Sequence, residues 1–367
     1  MRPRVLFVSR RVETPLPESE RRRWDALRAE FDFRVLAAGS PDRGELSLKP
    51  EPAVLAGPAF YATLPVRVAR ELRAFRPHAV IVQGAHETAA VLAARHLARS
   101  DAAVIADVHG DFRAPTRLYG SRLRSLLNPL ADRVAVAALR RADGVRTVTS
   151  YTTGLVRGLG IEPTDEFPAF MDFATFLARP PEPLPERPQA LFVGVLERYK
   201  NLDGLLGAWQ RITPRVPDAR LRLVGTGTLA GAVERAVADP THRISWAPRL
   251  PQVEVAAALD ESTCLVLPSR SEGMGRVVIE AFCRGRAVIG SRVGGIPDLV
   301  DDGENGLLVE SDDESALDEA LVRVLSDRPL AERLGRAAHA SAALWTISPE
   351  DFAHRVRALV EQVTRIS

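Results

Sequence analysis

The stretch Cys264-Leu-Val-Leu-Pro-Ser-Arg-Ser-Glu-Gly-Met-Gly-Arg-Val-Val-Ile-Glu-Ala-Phe-Cys-Arg-Gly285 decides the fold. Its apolar run, Cys264–Leu267, reads as a strand buried on both faces, and it stops at Pro268. Residues 269–275 then form a glycine-bearing turn. From Arg276 the apolar residues recur at helical spacing to Arg284, and Gly285 takes the place just past a helix end that favours glycine. A strand-to-helix turn of this kind presents unpaired backbone N–H groups and the positive end of the helix to an anion. Glu272 lies in the turn and Glu280 in the helix. Counted as helix, the eight residues between them rise about 12 Å and turn roughly 80° beyond two full circles. The two carboxylates then look the same general way, one toward each end of an extended ligand. A nucleoside diphosphate sugar suits such a site, with its phosphates on the helix amino end, one carboxylate on a ribose diol and the other on a sugar hydroxyl.

Strand and helix signals alternate on both sides of this stretch. Before it, Val5–Ser9, Phe33–Ala37, Ala79–Gln83, Ala103–Val108 and Gly144–Thr149 read as strands, and Arg21–Ala29, Pro65–Phe75 and Ala89–Ala98 as helices. Residues 179–188, Arg-Pro-Pro-Glu-Pro-Leu-Pro-Glu-Arg-Pro, carry five prolines and read as a stiff connection. The alternation restarts at Gln189–Val195 and continues through Arg220–Val224, Arg243–Trp246, Ala287–Gly290 and Gly306–Val309 as strands. Helical segments intervene, ending with Ser315–Leu325, Pro329–Leu344 and Pro349–Ile366. Parallel strands covered by helices follow from this order. The expected architecture is α/β: two doubly wound, Rossmann-like domains facing a cleft, with the ligand at the carboxyl ends of the strands. The expected division is an acceptor domain over 1–178, a linker over 179–188, a nucleotide-sugar domain over 189–348, and a C-terminal helix over 349–367 that crosses back to the first domain.

The 367 residues suffice for two cores, and 46% apolar with 26% charged residues excludes wholesale disorder. No apolar run reaches the length of a membrane span, and Arg2, Arg4, Arg10 and Arg11 argue against a signal peptide. Cys264 and Cys283 read as buried free thiols of a reducing cytoplasm. Residues 1–150 hold 25 Lys and Arg against 16 Asp and Glu, a net +9, and the remainder holds 24 against 31, a net −7. A basic first half suits an anionic acceptor, or peripheral contact with the anionic inner face of a membrane; arginines that merely solvate helix faces explain it equally well. Nothing points to nucleic acid as a partner. Lys49 and Lys200 are the two lysines of the chain, so Lys200 beside Gly194 stands out.

Glu272-Gly-Met-Gly-Arg-Val-Val-Ile-Glu280-Ala resembles the paired-glutamate signature of the family 4 retaining glycosyltransferases, which have the GT-B fold. Leu191-Phe-Val-Gly-Val-Leu-Glu-Arg-Tyr-Lys200-Asn resembles the family's first strand and phosphate loop in the second domain. Leu223-Val-Gly-Thr-Gly227 resembles its second glycine turn, and Gly294-Gly-Ile-Pro-Asp298 with Asp302-Gly-Glu-Asn-Gly306 its late loops. Asp107-Val-His109-Gly resembles the strand end that carries an active-site histidine. Phe167-Pro-Ala-Phe-Met-Asp172-Phe-Ala-Thr-Phe176 stands where the family usually reads Pro-Asn-Gly-Val-Asp and then Phe. The likeness is strong over 190–345 and loose over 1–170. It implies a retaining transfer of a hexose from a nucleoside diphosphate sugar, with no metal and no further cofactor. Glu280 would bind the ribose hydroxyls and Glu272 the transferred sugar. The amides of Gly273, Met274, Gly275 and Arg276 would meet sugar and phosphate, with Gly194 lining the phosphate loop. Lys200 would neutralise the diphosphate, His109 would face the reaction centre, and Arg249-Leu250 would lie along the base.

Two departures matter. Val195 follows the glycine where the family has a phosphate-pairing arginine, and residues 9–20 lack the family's glycine pair. A cation at the first turn opposes the helix dipole and calls for a compensating partner, so Arg276, or failing it Arg198, is the expected second phosphate cation; the alternative is that Arg276 points to solvent or pairs with a nearby acid. A GT-B sugar phosphorylase and a non-catalytic nucleotide-sugar-binding relative stay open beside the transferase. The acceptor, whether saccharide or lipid-linked, is not specified.

Overall fold

The computed structural model describes residues 2–11, 18–38, 46–49, 56–113 and 122–364. Residues 12–17 of the loop 9–20 and the tail beyond Thr364 therefore lie outside the described residues. The chain divides into two compact units: residues 1–170 with 347–367, and residues 171–346. None of the described helices is long and apolar enough to cross a membrane.

In the first unit a seven-stranded parallel sheet is built from β1 (Arg4–Arg11), β2 (Asp32–Ala38), β3 (Leu46–Lys49), β4 (Ala79–Gln83), β5 (Ala103–Val108), β6 (Gly144–Thr147) and β7 (Asp165–Glu166). Their order is β3-β2-β1-β4-β5-β6-β7. The register sets Val5 against Ala79 and Val8 against Val82. The inner strands are apolar on both faces because helices cover both. On one face Trp24, Phe31 and Phe33 meet Phe352, Val356 and Leu359 of the helix Pro349–Thr364. On the other, Leu6, Val80 and Val104 meet Phe60, Leu64 and Val68.

The second unit repeats the plan with β8 (Gln189–Val193), β9 (Arg220–Val224), β10 (Ile244–Ala247), β11 (Cys264–Leu267), β12 (Ala287–Ser291) and β13 (Gly306–Val309). The order is β10-β9-β8-β11-β12-β13. One core contains Phe192, Trp209, Leu265, Ile289 and Phe282. In each unit the order reverses once, between β1 and β4 and between β8 and β11. Strands there diverge to helices on opposite faces, which opens a crevice at their carboxyl ends.

The chain departs from its sequence reading in three places. The proline-rich stretch 179–188 lies inside the second unit. Extended proline-rich backbone has no ladder for its carbonyls, and arginines take them. The fully buried Arg284 donates to the carbonyls of Phe176, Arg179 and Pro180. Arg286 donates to Glu182, and Arg328 to Leu184 and Pro185. Asp260 neutralises Arg284 at 2.8 Å. The second departure is the helix Ala56–Phe75, which passes through Pro65 instead of starting there; proline resembles a start because its ring suits the first helical position. Last, the helix expected over Pro329–Leu344 ends at Ser341 and tightens into a 3-10 turn, Ala342–Leu344.

Candidate functional sites in the two units

In the second unit the glycine turns exist because backbone meets backbone. Gly225 has φ +145, and a Cβ there would lie 1.8 Å from the carbonyl oxygen of Gly194. Gly294 has φ +57, and its Cβ would lie 1.8 Å from the carbonyl oxygen of Glu272. Any side chain would force these turns apart. The loop after β8 is thereby pressed onto the loop after β9, with the Leu196 amide donating to Thr226 at 2.8 Å. Trp246 Nε1 donates to the Gly225 carbonyl at 2.9 Å and anchors the turn from β10.

Lys200 ends the 3-10 turn Arg198–Lys200 that follows β8. Glu272 lies within the loop 268–275 that follows β11, and the two side chains form an ion pair. It spans the point where the strand order reverses. Ser269 Oγ donates to the same glutamate at 3.4 Å. Arg270 ties the loops together: its amide donates to the Tyr199 carbonyl at 2.7 Å, its guanidinium to the Arg198 carbonyl at 2.8 Å and to Asp312 at 2.7 Å. Neither Arg270 nor Trp246 stood out in the sequence, since each acts on backbone distant in the chain.

The helix Arg276–Cys283 starts behind Gly275, whose φ of 75° turns the chain, and no side chain caps its first amides. Glu272 is therefore outside the helix, and the eight-residue helical spacing of the two carboxylates does not apply. Glu280 is buried. Desolvation pushes its pKa up against the opposing charge of Arg276. Arg276, expected to be free for phosphate, donates from Nε to Glu280 at 2.8 Å and from NH2 to the Asp172 carbonyl at 3.3 Å, and lies 5.7 Å from the Phe173 ring centre. The i, i+4 carboxylate is the acidic partner its place in the first turn calls for. Arg198 is exposed and makes no side-chain hydrogen bond among the described residues. Val195 is 46% exposed. Arg249 is exposed just after β10, and Leu250 packs partly on the core.

In the first unit His109 follows β5. Its Nε2 lies 2.8 Å from Asp107 Oδ2, and the other oxygen of Asp107 accepts from Arg146 at 2.8 Å. Arg146, in β6, is 3% exposed and donates to the carbonyls of Phe167 and Pro168, both at 2.9 Å. Its guanidinium lies 4.0 Å from the Phe167 ring centre. Burial opposes ionisation of Asp107, but the Arg146 guanidinium and the contact with His109 outweigh it and hold its pKa at about 2. Across the β1–β4 crossing, Ser9 donates to Gln83 at 3.0 Å, and Gln83 Nε2 lies 3.5 Å from His109 Nδ1. The sequence signal for Arg146 was a single charge inside the apolar run Gly144-Val-Arg-Thr-Val148.

Residues 5–167 match the family described as Glycosyl transferase 4-like domain, and residues 176–341 match Glycosyl transferases group 1. The chain belongs to the group 1 glycosyltransferases and has the GT-B fold. A D-inositol 3-phosphate glycosyltransferase of Corynebacterium diphtheriae is 32% identical over 169 residues, 43% of this chain and 40% of that protein. The chain thus spans about two fifths of the length of such curated relatives. Among solved structures, sucrose-phosphate synthase of Thermosynechococcus elongatus superposes with a TM-score of 0.79 at 21% identity over 100% of both chains. Anabaena HepE in complex with UDP-glucose superposes with a TM-score of 0.71 at 14% identity, over 97% of this chain and 99% of that one.

Proposed function

We propose that the chain transfers a hexose from a nucleoside diphosphate sugar to an acceptor, retaining the anomeric configuration and using no metal ion. The observation that carries the proposal is the Lys200–Glu272 pair across the β8–β11 crossing, beside uncapped helix amides and with Glu280 one helix turn beyond Arg276. The ribose hydroxyls donate to Glu280 and the sugar hydroxyls to Glu272. The diphosphate lies between Lys200 and the amides of Gly273 to Arg276, beside Gly194 and with the base along Arg249-Leu250. In the reaction the bond from the anomeric carbon to the diphosphate breaks and one to the acceptor oxygen forms. The acceptor proton leaves with the nucleotide, and His109 serves the reacting groups. Lys200 and the helix amides meet the charge that develops on the leaving diphosphate. With Arg276 committed to Glu280, Arg198 is the second phosphate cation.

The net +9 of residues 1–150 favours an anionic acceptor, and the relative just described is named for D-inositol 3-phosphate. The Cys264 and Cys283 thiols, both pushed to about 12 chiefly by burial, suit a reducing cytoplasm. A melting-temperature panel with UDP-, GDP- and ADP-sugars tests the donor class, because a ligand of the folded state raises stability by mass action. One nucleotide series should raise the midpoint, and the same donor should release nucleotide slowly in excess chelator. A panel without any shift, or activity that chelator abolishes, overturns the proposal.

A further inference from the structure

Both oxygens of Asp107 are committed, one to Arg146 and one to His109, each at 2.8 Å. A carboxylate only accepts, so His109 Nε2 must carry the proton in that contact. The other ring nitrogen then faces Gln83. The Gln83 oxygen already takes the Ser9 hydroxyl, so its amide nitrogen, 3.5 Å from Nδ1, presents N–H to an unprotonated Nδ1. Arg146 cannot swing away: one terminal nitrogen holds Asp107, the other holds two carbonyls, and the Phe167 and Phe352 ring centres lie 4.0 and 5.5 Å from the guanidinium carbon. Openness rises along the network. The side chains of Arg146, Asp107 and His109 are 3%, 12% and 34% exposed. The buried end is fixed and the open end is the imidazole.

We propose that Arg146 and Asp107 are positioning residues that lock His109 in the Nε2–H tautomer, leaving Nδ1 as a hydrogen-bond acceptor that a substrate donor takes over from Gln83. Arg146 acts only through Asp107, and Asp107 only through the imidazole. What His109 then does rests on the transferase proposal; how it is held does not. An orienting carboxylate does this work wherever a neutral histidine must present one chosen nitrogen.

The test uses the full chain with 15N-labelled histidine, His109 being assigned by comparison with His109→Gln. Two-bond proton–nitrogen correlations, recorded without donor or acceptor, report which ring nitrogen bears hydrogen. The wild type should show protonated Nε2 and bare Nδ1, and Asp107→Asn should show a tautomer mixture. Arg146→Lys should give an intermediate result, since one ammonium cannot hold the carboxylate and both carbonyls at once. Asp107→Asn should also lower kcat about 10²-fold, with the donor KM within about twofold, a split that general loosening of the unit would not produce. Should Arg146 variants fold poorly, the isosteric Asp107→Asn decides alone. Protonated Nδ1 in the wild type, or an unchanged tautomer and kcat in Asp107→Asn, overturns the positioning. A tautomer lost in Asp107→Asn, in a chain that transfers no sugar from any donor, upholds the positioning and overturns the transferase proposal.

Discussion

Each unit places an ion pair near the carboxyl ends of its strands, between β5 and β6 in the first and across the β8–β11 crossing in the second, and the two are built in opposite ways. In the first unit, Arg146 is held by a carboxylate, two carbonyls and two aromatic rings, so its place is set several times over. In the second, Lys200 and Glu272 sit on two loops whose glycine turns bring them together, and the lysine has one carboxylate partner. An arginine fork with every contact supplied by protein keeps one geometry. A flexible ammonium on a loop can trade its carboxylate for a phosphate. The first pair is built to stay and the second to exchange.

The sharpest way to break this contrast is to remove each cation. Arg146→Met leaves the buried Asp107 carboxylate with His109 as its remaining hydrogen-bond partner among the described residues and should cost about 3 kcal/mol, as breaking one side of a buried pair does. Lys200→Met should cost roughly 1 kcal/mol, because Glu272 keeps its Ser269 hydrogen bond and is half-buried on a loop. Denaturant unfolding of both variants beside the wild type measures the gap. Equal midpoints would mean that the two pairs are alike.

Activity should rank them the other way for Lys200. Lys200→Met should lower the transfer rate about 10²-fold at saturating donor, the loss expected for one preorganised cation facing a leaving group. A wild-type rate would show that the lysine serves only to neutralise Glu272.

Much of the second unit was legible because its chemistry and its turns are neighbours in sequence: Glu272, Gly273, Gly275 and Glu280 lie within nine residues, and glycines mark each loop. The strand-and-helix alternation likewise disclosed both parallel sheets. What stayed hidden depends on contacts between distant segments. Arg276 read as a phosphate ligand, since its partner Glu280 already had a role and nothing local shows which way a guanidinium turns. Arg146 was one charge in an apolar strand, and its meaning lies in Asp107, 39 residues away. Strand β7, two residues long, carries too little pattern to be seen. The proline-rich stretch 179–188 looked like a free connection because the arginines that clasp it lie about a hundred residues later.

The buried pair also carries a pH signature. Asp107 has a folded pKa of about 2, below the ordinary value of 3.8. A depressed carboxylate contributes stability that is fully present above its ordinary pKa and lost as pH falls toward the folded one. The gap amounts to about 2 kcal/mol, which should disappear between about pH 4 and pH 2. Asp107→Asn should be less stable at neutral pH and show a flatter decline over that window. Parallel declines would place the acid-sensitive group elsewhere.

The smallest expected effect separates the two roles open to Arg276. Glu280 is buried, and desolvation raises its pKa while Arg276 lowers it. If the arginine serves the carboxylate, Arg276→Ala leaves desolvation less opposed, and the folded pKa of Glu280 rises further. A protonated carboxyl is a poorer acceptor for two ribose hydroxyls, so the acid limb of nucleotide binding should move to higher pH in the variant. At neutral pH two changes oppose each other. The carboxylate loses a partner, and Glu280 Oε1 is released from a 2.8 Å contact that ribose would otherwise share. Arg276 is also 39% exposed at its side chain, so solvent screens the pair. Nucleotide affinity at neutral pH should therefore change by less than about fivefold, or ~1 kcal/mol. Calorimetric titration with nucleoside diphosphate across pH reads both effects. A loss near a hundredfold at neutral pH, with an unmoved acid limb, would mean that Arg276 leaves Glu280 for the diphosphate when donor binds. The second unit would then hold two exchanging cations, and Arg198 would lose its assigned role.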